Sequence, residues 1–377
     1  MHAARALSAA PARAAQPKKK LLGPKKNAQQ VRDLLRTRLA LTDAELDRMV
    51  RRRPLGALTT IKPKLDWLQR RLDLDQAQLA RLVRREPTVL TNSVERNNAP
   101  TLDWLQTRLE LDTAQLGRMV VKLPALIGKR PESMEANCDW LRRRLGLDAA
   151  ETRRLVAGFP PLLYLSVEDN LAPTLDWLQT RFDLDDAELR KMVLTFPALI
   201  GYSVEDNMAP KLEWLQTRFD LDDAGLRKIV VTCPQLLGFS VEDNLEPKLD
   251  WLQKRLDLDE AQLKKVVLML PSLFNYSVED NLEPKLEWLQ KRLGLDAAQL
   301  KKVVVRLPQL LGYSVEDNVE PKLEFLAREI GLTRDELRDW VVKNPVTLGR
   351  SLERCYRIRL EACRAAGVDA KRVLSYA

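Results

Sequence analysis

The chain has 377 residues, 31% charged and 45% hydrophobic, the composition of a folded helical protein and not of a disordered one. No apolar run approaches the roughly 18–20 residues that a membrane helix needs, and one histidine (His2) and four scattered cysteines with no Cys-x-x-Cys argue against a zinc site or a disulfide framework. The net charge of +9 is uneven: residues 1–60 hold 14 basic and 4 acidic groups, residues 345–377 hold 7 and 3, and residues 61–344 therefore carry −5.

The first acidic residue is Asp33, and eight alanines fall in the first fifteen positions beside Arg5, Arg13 and Lys18-Lys19-Lys20. Residues 1–29 thus read as an organelle transit peptide, with a disordered basic tail as the alternative. Residues 30–377 read as one repeat domain.

Two markers set the register of that domain. The first is a proline closing an apolar run: Pro54, Pro87, Pro124, Pro160, Pro197, Pro234, Pro271, Pro308 and Pro345. The second is an aromatic: Trp67, Trp104, Trp140, Trp177, Trp214, Trp251, Trp288 and Phe325, with Leu34 in the equivalent place of a first, shorter unit. The step settles at 37 residues, so nine units fill the domain and leave no room for a separate catalytic one.

Each unit reads as two helices. In one copy the first starts near Pro247, where a missing N–H costs nothing, and presents Leu249, Leu252 and Leu256 at helical spacing. The second opens on Asp259 and Gln262, a capping-box pair that recurs as Thr42/Glu45, Asp75/Gln78, Asp112/Gln115, Asp148/Glu151, Asp185/Glu188, Asp296/Gln299 and Thr333/Glu336. Only the unit with Gly225 departs. In the copy that opens on Asp259, Leu263, Val266, Val267 and Leu270 form the buried face of the second helix, and Pro271 stops it. The connector carries Ser-Val-Glu-Asp-Asn, repeated from Ser166, Ser203, Ser240, Ser277 and Ser314, with the Ser-x-x-Asp spacing of a cap on a short helical turn. One pair cannot bury its apolar faces alone, so stacking predicts an all-α superhelical solenoid of nine two-helix repeats with a short third turn.

These two helices plus a turn, marked by Leu-Pro-x-Leu-Leu and Pro-Lys-Leu-x-Trp-Leu, resemble the mitochondrial transcription termination factor (mTERF) family, as does the ending from Leu352 to Arg359. The resemblance covers nearly all of residues 30–377. It implies a half-ring superhelix in mitochondria or plastids that binds double-stranded DNA, with some members acting on RNA or on ribosome assembly. No base-contacting residue is carried over from it.

Three basic rows lie in the register. Six residues before each marker proline stand Arg48, Arg81, Arg118, Arg154, Lys191, Lys228, Lys265 and Lys302, with Asp339 at the ninth place. One turn later come Arg52, Arg85, Lys122, Arg306 and Lys343, but Gly158, Thr195, Thr232 and Met269 in the middle. Arg and Lys interchange here, as expected where charge alone matters, as at phosphate. A solvated helix face is the alternative. A third row, four residues after the aromatic marker, is Arg alone: Arg38, Arg71, Arg108, Arg144, Arg181, Arg218, Arg255 and Arg292. An Arg-only position asks for forked geometry and reads as a bridge between repeats, with the connector Glu or an interhelical Asp as partner. The densest basic groups lie at the ends: Arg51-Arg52-Arg53, and Arg350, Arg354, Arg357 and Arg359, of which Arg350, Arg354 and Arg357 share a face if their segment is helical. The tryptophans, beside leucines in strict register, read as core.

No glycine-rich phosphate loop, metal-spaced cluster or singular acid pair is present, so the sequence reads as no enzyme and needs no cofactor. The leading expectation is a solenoid that wraps double-stranded DNA to regulate or terminate transcription, counterion release supplying most of the affinity. RNA, or a basic protein docked on the acidic connector edge, is the alternative partner. Repeats this alike predict binding with little sequence preference.

Overall fold

The structure, a computed structural model, describes residues 24–52 and 58–368, which form helices joined by short turns with no strand among them. They fall into two compact units, divided after Glu135. The first holds α1 (Pro24–Leu39), α2 (Asp43–Arg52), α3 (Leu58–Arg71), α4 (Gln76–Arg85), the single turn α5 (Thr88–Thr91), α6 (Ala99–Leu109) and α7 (Thr113–Lys122). The helix α8 (Pro131–Leu145) spans the division. The second unit continues with α9 (Ala149–Gly158), α10 (Ala172–Arg181), α11 (Asp186–Thr195), α12 (Ala209–Phe219), α13 (Asp223–Thr232), α14 (Glu246–Leu256), α15 (Glu260–Met269), α16 (Glu283–Leu293), α17 (Ala297–Arg306), α18 (Glu320–Glu329), α19 (Arg334–Lys343) and α20 (Ile358–Ala366). Nine helix pairs therefore stand among the described residues, each unit a stack of repeated pairs. The fold is the all-α solenoid of the sequence reading. Pro54 and Arg53 lie outside the described residues, and α1 begins at Pro24, inside the segment 1–29 set apart as a leader.

The pair α14–α15 shows how the sequence writes one repeat. Leu249, Leu252 and Leu256 are buried on one face of α14. Asp257 then takes the left-handed conformation (φ 49°, ψ 51°) and ends the helix. The same event recurs once per repeat, at Ala40, Asp73, Glu110, Gly146, Asp183, Asp220, Gly294 and Gly331. Two residues later Asp259 accepts from the Gln262 N–H (2.8 Å) while its own N–H donates to the Gln262 side chain (3.2 Å). Every other expected capping pair forms, and Asp222 caps Gly225 from one side only. Leu263, Val266 and Val267 bury the inner face of α15.

The proline then opens a 3-10 turn, Pro271–Asn275. The Ser277 hydroxyl accepts from the Asp280 N–H at 3.1 Å, and the turn it caps, Val278–Leu282, is π-helical, with the Leu282 N–H reaching the Ser277 carbonyl. This turn runs straight into α16, so the repeated pentapeptide aims the next pair. In the second unit the apolar core is continuous from Leu141 to Tyr356. The tryptophans are half-buried at its border: Trp214 Nε1 donates to Glu246 at 3.0 Å, and the Trp177 ring meets Phe182 edge-on.

Candidate nucleic-acid interface

Second helices of successive repeats touch one another at α4 with α7, α9 with α11, and along α13, α15, α17 and α19. Packed helices stand about 8–10 Å apart, so a residue type held at one register position becomes a row. Arg48, Arg81 and Arg118 form it in the first unit, and Arg154, Lys191, Lys228, Lys265 and Lys302 in the second. All eight are exposed, and none makes a side-chain hydrogen bond or ion pair with a described residue. Between α9 and α11 the row borders an open cleft of about 770 Å³, lined by Arg154, Arg190, Lys191, Leu155, Leu194 and Pro197.

The row one turn further on differs. Arg85 donates to the carbonyl of Lys122 (3.2 Å) and Arg306 to that of Lys343 (3.0 Å), each carbonyl being the last of the next second helix. These two arginines are exposed, yet each also caps its neighbour. Lys122 is exposed, and the Arg52 side chain lies outside the described residues.

A further basic row escaped the sequence reading because it sits one residue ahead of the free one. Arg190 pairs with Glu151 at 2.6 Å and holds that carboxyl below its usual range. Arg227 binds Glu188 (2.6 Å) and the Phe182 carbonyl (2.8 Å). Lys264 reaches the Asp220 carbonyl at 2.7 Å, and Lys301 the Asp257 carbonyl. The carbonyls of Phe182, Asp220 and Asp257 end the first helix of the preceding repeat, the negative pole of its dipole. Adjacent cations such as Lys264 and Lys265 thus have opposite fates: one is tied between repeats, the other faces solvent.

The Arg-only row bridges repeats as expected, but not to the connector Glu. In the first unit Arg38 pairs with Asp66 (2.5 Å), Arg71 with Asp103 (2.7 Å) and Arg108 with Glu135 (3.1 Å). In the second, Arg144 pairs with Asp176 (2.9 Å), Arg181 with Asp223 (3.1 Å), Arg218 with Glu260 (2.7 Å), Arg255 with Glu283 (2.7 Å) and Arg292 with Glu320 (2.9 Å). The acceptors stand on helices of the next repeat, and Asp223, Glu260, Glu283 and Glu320 lie in their first turns. The connector acids Glu168 to Asp317 stay exposed, and those five turns form no ion pair among the described residues.

At the C-terminal end one expectation is corrected. Arg350 has extended backbone (φ −84°, ψ 153°) after the turn Pro345–Gly349, so it shares no helix face with Arg354 and Arg357, which lie on the π turn Leu352–Arg357. The break comes because Ser351 must be extended to cap Arg354. Arg354 is exposed, Arg357 pairs with Glu353 at 3.1 Å, and Arg359 is half-buried.

Lysines outside every predicted row are the least expected feature. Lys211, Lys248, Lys285 and Lys322, three residues before the aromatic marker, are 5–9% exposed. Each ammonium donates to a carbonyl of its repeat's closing turn: Leu237 (2.6 Å), Phe274 (2.7 Å), Leu311 (2.5 Å) and Leu348 (2.6 Å). Burial lowers the pKa of all four. Lys64 does the same to Leu90 at 2.9 Å. The recurring Asn four residues earlier was the available signal.

A stack of helix pairs of this kind, repeated along the chain, defines a helical-repeat protein. Compared with protein families, the chain matches mTERF over residues 33–184, 105–221 and 217–376, and it belongs to that family. The family is one of nucleic-acid-binding helical repeats, generally non-enzymatic and typically organellar. A comparison with curated proteins finds no match. No described helix is long and apolar enough to cross a membrane.

Proposed function

We propose that the chain binds double-stranded DNA along the row Arg48, Arg81, Arg118 and Arg154 to Lys302, with Arg350 and Arg354 adding contacts, and that it regulates or terminates transcription in a mitochondrion or plastid. One observation carries the reading. Cations at neighbouring register positions are engaged between repeats, while this row is exposed and, among the described residues, forms no side-chain hydrogen bond or ion pair in eight repeats. Keeping like charges in line within each unit costs self-repulsion, which a polyanion relieves. The interchange of Arg and Lys supports contact with phosphate and not with bases.

Titration of the chain onto labelled duplex DNA, single-stranded DNA and RNA at several salt concentrations tests this. Duplex DNA is expected to bind tightest, with little preference among unrelated sequences. Absence of binding to all three polymers at low salt would leave the second reading, which the exposed connector acids favour: a scaffold for a basic protein. We also assign residues 1–29 to an organelle leader. Its basic, alanine-rich and acid-free composition supports this, and fusion of residues 1–29 to a fluorescent protein reads it out.

A further inference from the structure

The buried lysines do more than satisfy one carbonyl. The Lys285 ammonium lies 2.5 Å from the Leu311 carbonyl in the closing turn Pro308–Gly312, 3.3 Å from Asn281 Oδ1 in the preceding π turn, and 5.8 Å from the ring centre of Tyr276, which leads into that turn. Lys211 repeats the arrangement with Leu237, Asn207 and Tyr202, and Lys322 with Leu348, Asn318 and Tyr313. Lys248 binds Phe274 beneath Phe239 and leaves Asn244 Oδ1 without a partner. One ammonium thus holds two successive turns together.

The turns are already close. A Cβ placed on Gly312 would lie 2.9 Å from Tyr276 Oη, and one on Gly238 would lie 2.8 Å from the Phe196 ring. Where Cys233 replaces that phenylalanine, Asn275 replaces the glycine, and Cys233 lies against Asn275. A buried ammonium is tolerated only with its partners in place, so the charge dictates where the two turns sit. The closing turn follows directly on the second helix, which carries the free cation: Lys302 stands on α17, and Pro308 opens the turn after it.

We infer that Lys211, Lys248, Lys285 and Lys322 are positioning residues for the basic row, fixing the step from one free cation to the next so that the row meets phosphates at constant pitch. The purpose rests on the proposed function; the step itself exists without nucleic acid. Thr174 occupies the same place in an earlier repeat and makes no such hydrogen bond among the described residues. Its closing turn, Pro197–Gly201, borders the open cleft. The step from Arg154 to Lys191 is therefore the compliant one.

The test is a pair of measurements on the full chain. Spin labels at positions 228 and 302, with the half-buried Cys355 changed to Ser, report the distance across two lysine bridges, and labels at 154 and 228 span the Thr174 repeat. The first pair is expected to give the narrower distribution, and Lys248→Met with Lys285→Met to broaden or shift it. Lys285→Thr, which copies the natural Thr174 repeat, serves if the double variant does not fold. With the row intact, the bridge variants should bind duplex DNA about tenfold more weakly, with a shallower dependence on salt, by about 0.9 in log–log slope per phosphate lost. Unchanged distances in a folded variant overturn the inference. Changed distances with unchanged affinity and slope overturn the positioning role. If the unmodified chain binds no nucleic acid while the distances still respond, the proposed function fails and the spacing role stands.

Discussion

The repeats from Ser203 to Gly349 and those from Thr88 to Leu165 solve one problem with different chemistry. In the later repeats a lysine under an aromatic ring holds the closing turn. In the earlier ones Thr101 Oγ1 stands 2.7 Å from the Lys129 carbonyl, and Asn137 Nδ2 donates to Leu162 and Leu165 at 2.9 Å each. What the register keeps is a donor aimed at the turn, not a charge. The difference lies in charge and in the ring: the ammonium packs beneath an aromatic and, for Lys211, Lys285 and Lys322, takes in the connector Asn side chain, whereas the neutral Thr101 hydroxyl shares itself between the Lys129 carbonyl and the Asn97 carbonyl (2.9 Å) of the preceding turn.

Deleting the donor in each region sharpens that contrast. Lys285→Met leaves the Leu311 carbonyl buried without its partner and should cost about 2–3 kcal/mol; Thr101→Val, losing a shorter and neutral donor, should cost about 1 kcal/mol. Urea denaturation reads both as midpoint shifts at constant slope. Equal losses would break the comparison.

The last closing turn is held twice, by Lys322 on Leu348 and by the Tyr356 hydroxyl on the Thr347 carbonyl at 2.7 Å. The two anchors respond oppositely to alkali. Burial raises the Tyr356 pKa from 10.0 to about 12, so its contribution is whole below pH 10 and is lost as pH rises through 12, of the order of 2 kcal/mol in all. Burial lowers the Lys322 pKa from 10.5, so the folded chain sheds that proton first and gains stability as pH climbs toward 10.5. Tyr356→Phe should flatten the loss above pH 10 in thermal melts. A melt that keeps the same fall would show that Tyr356 is not its source.

A smaller effect separates the two units. Ala40 takes the left-handed position (φ 49°) that Gly146, Gly294 and Gly331 fill in later repeats. Ala40→Gly should stabilise the first unit by about 1 kcal/mol, and Gly294→Ala should destabilise the second by a similar amount. A loss from Ala40→Gly would mean the unfolded-state entropy of glycine outweighs the relief.

Much of this was legible because it is local. Capping pairs, marker prolines and buried leucines follow from spacing within one helix, and the Arg-only row announced forked pairing by refusing Lys. What stayed hidden depends on the neighbouring repeat. Lys264 and Lys265 are alike in sequence, and only the helix end opposite Lys264 separates a tied cation from a free one. The lysine of Pro-Lys-Leu sits in a first helical turn, where surface charge is ordinary, so burial could not be read from its neighbours. The shared face expected for Arg350, Arg354 and Arg357 assumed one helix, and the proline turn with its serine cap interrupts it.

The central claim is that neighbouring lysines divide into structural and ligand-binding rows, and one paired measurement tests it. Lys265→Gln/Lys302→Gln and Lys264→Gln/Lys301→Gln remove the same charge one residue apart. The salt dependence of duplex DNA binding should become shallower by about 2 in log–log slope for the first pair and stay unchanged for the second, which should instead melt earlier. Equal slopes for the two pairs would contradict the account, since only net charge, and not the row, would then be binding.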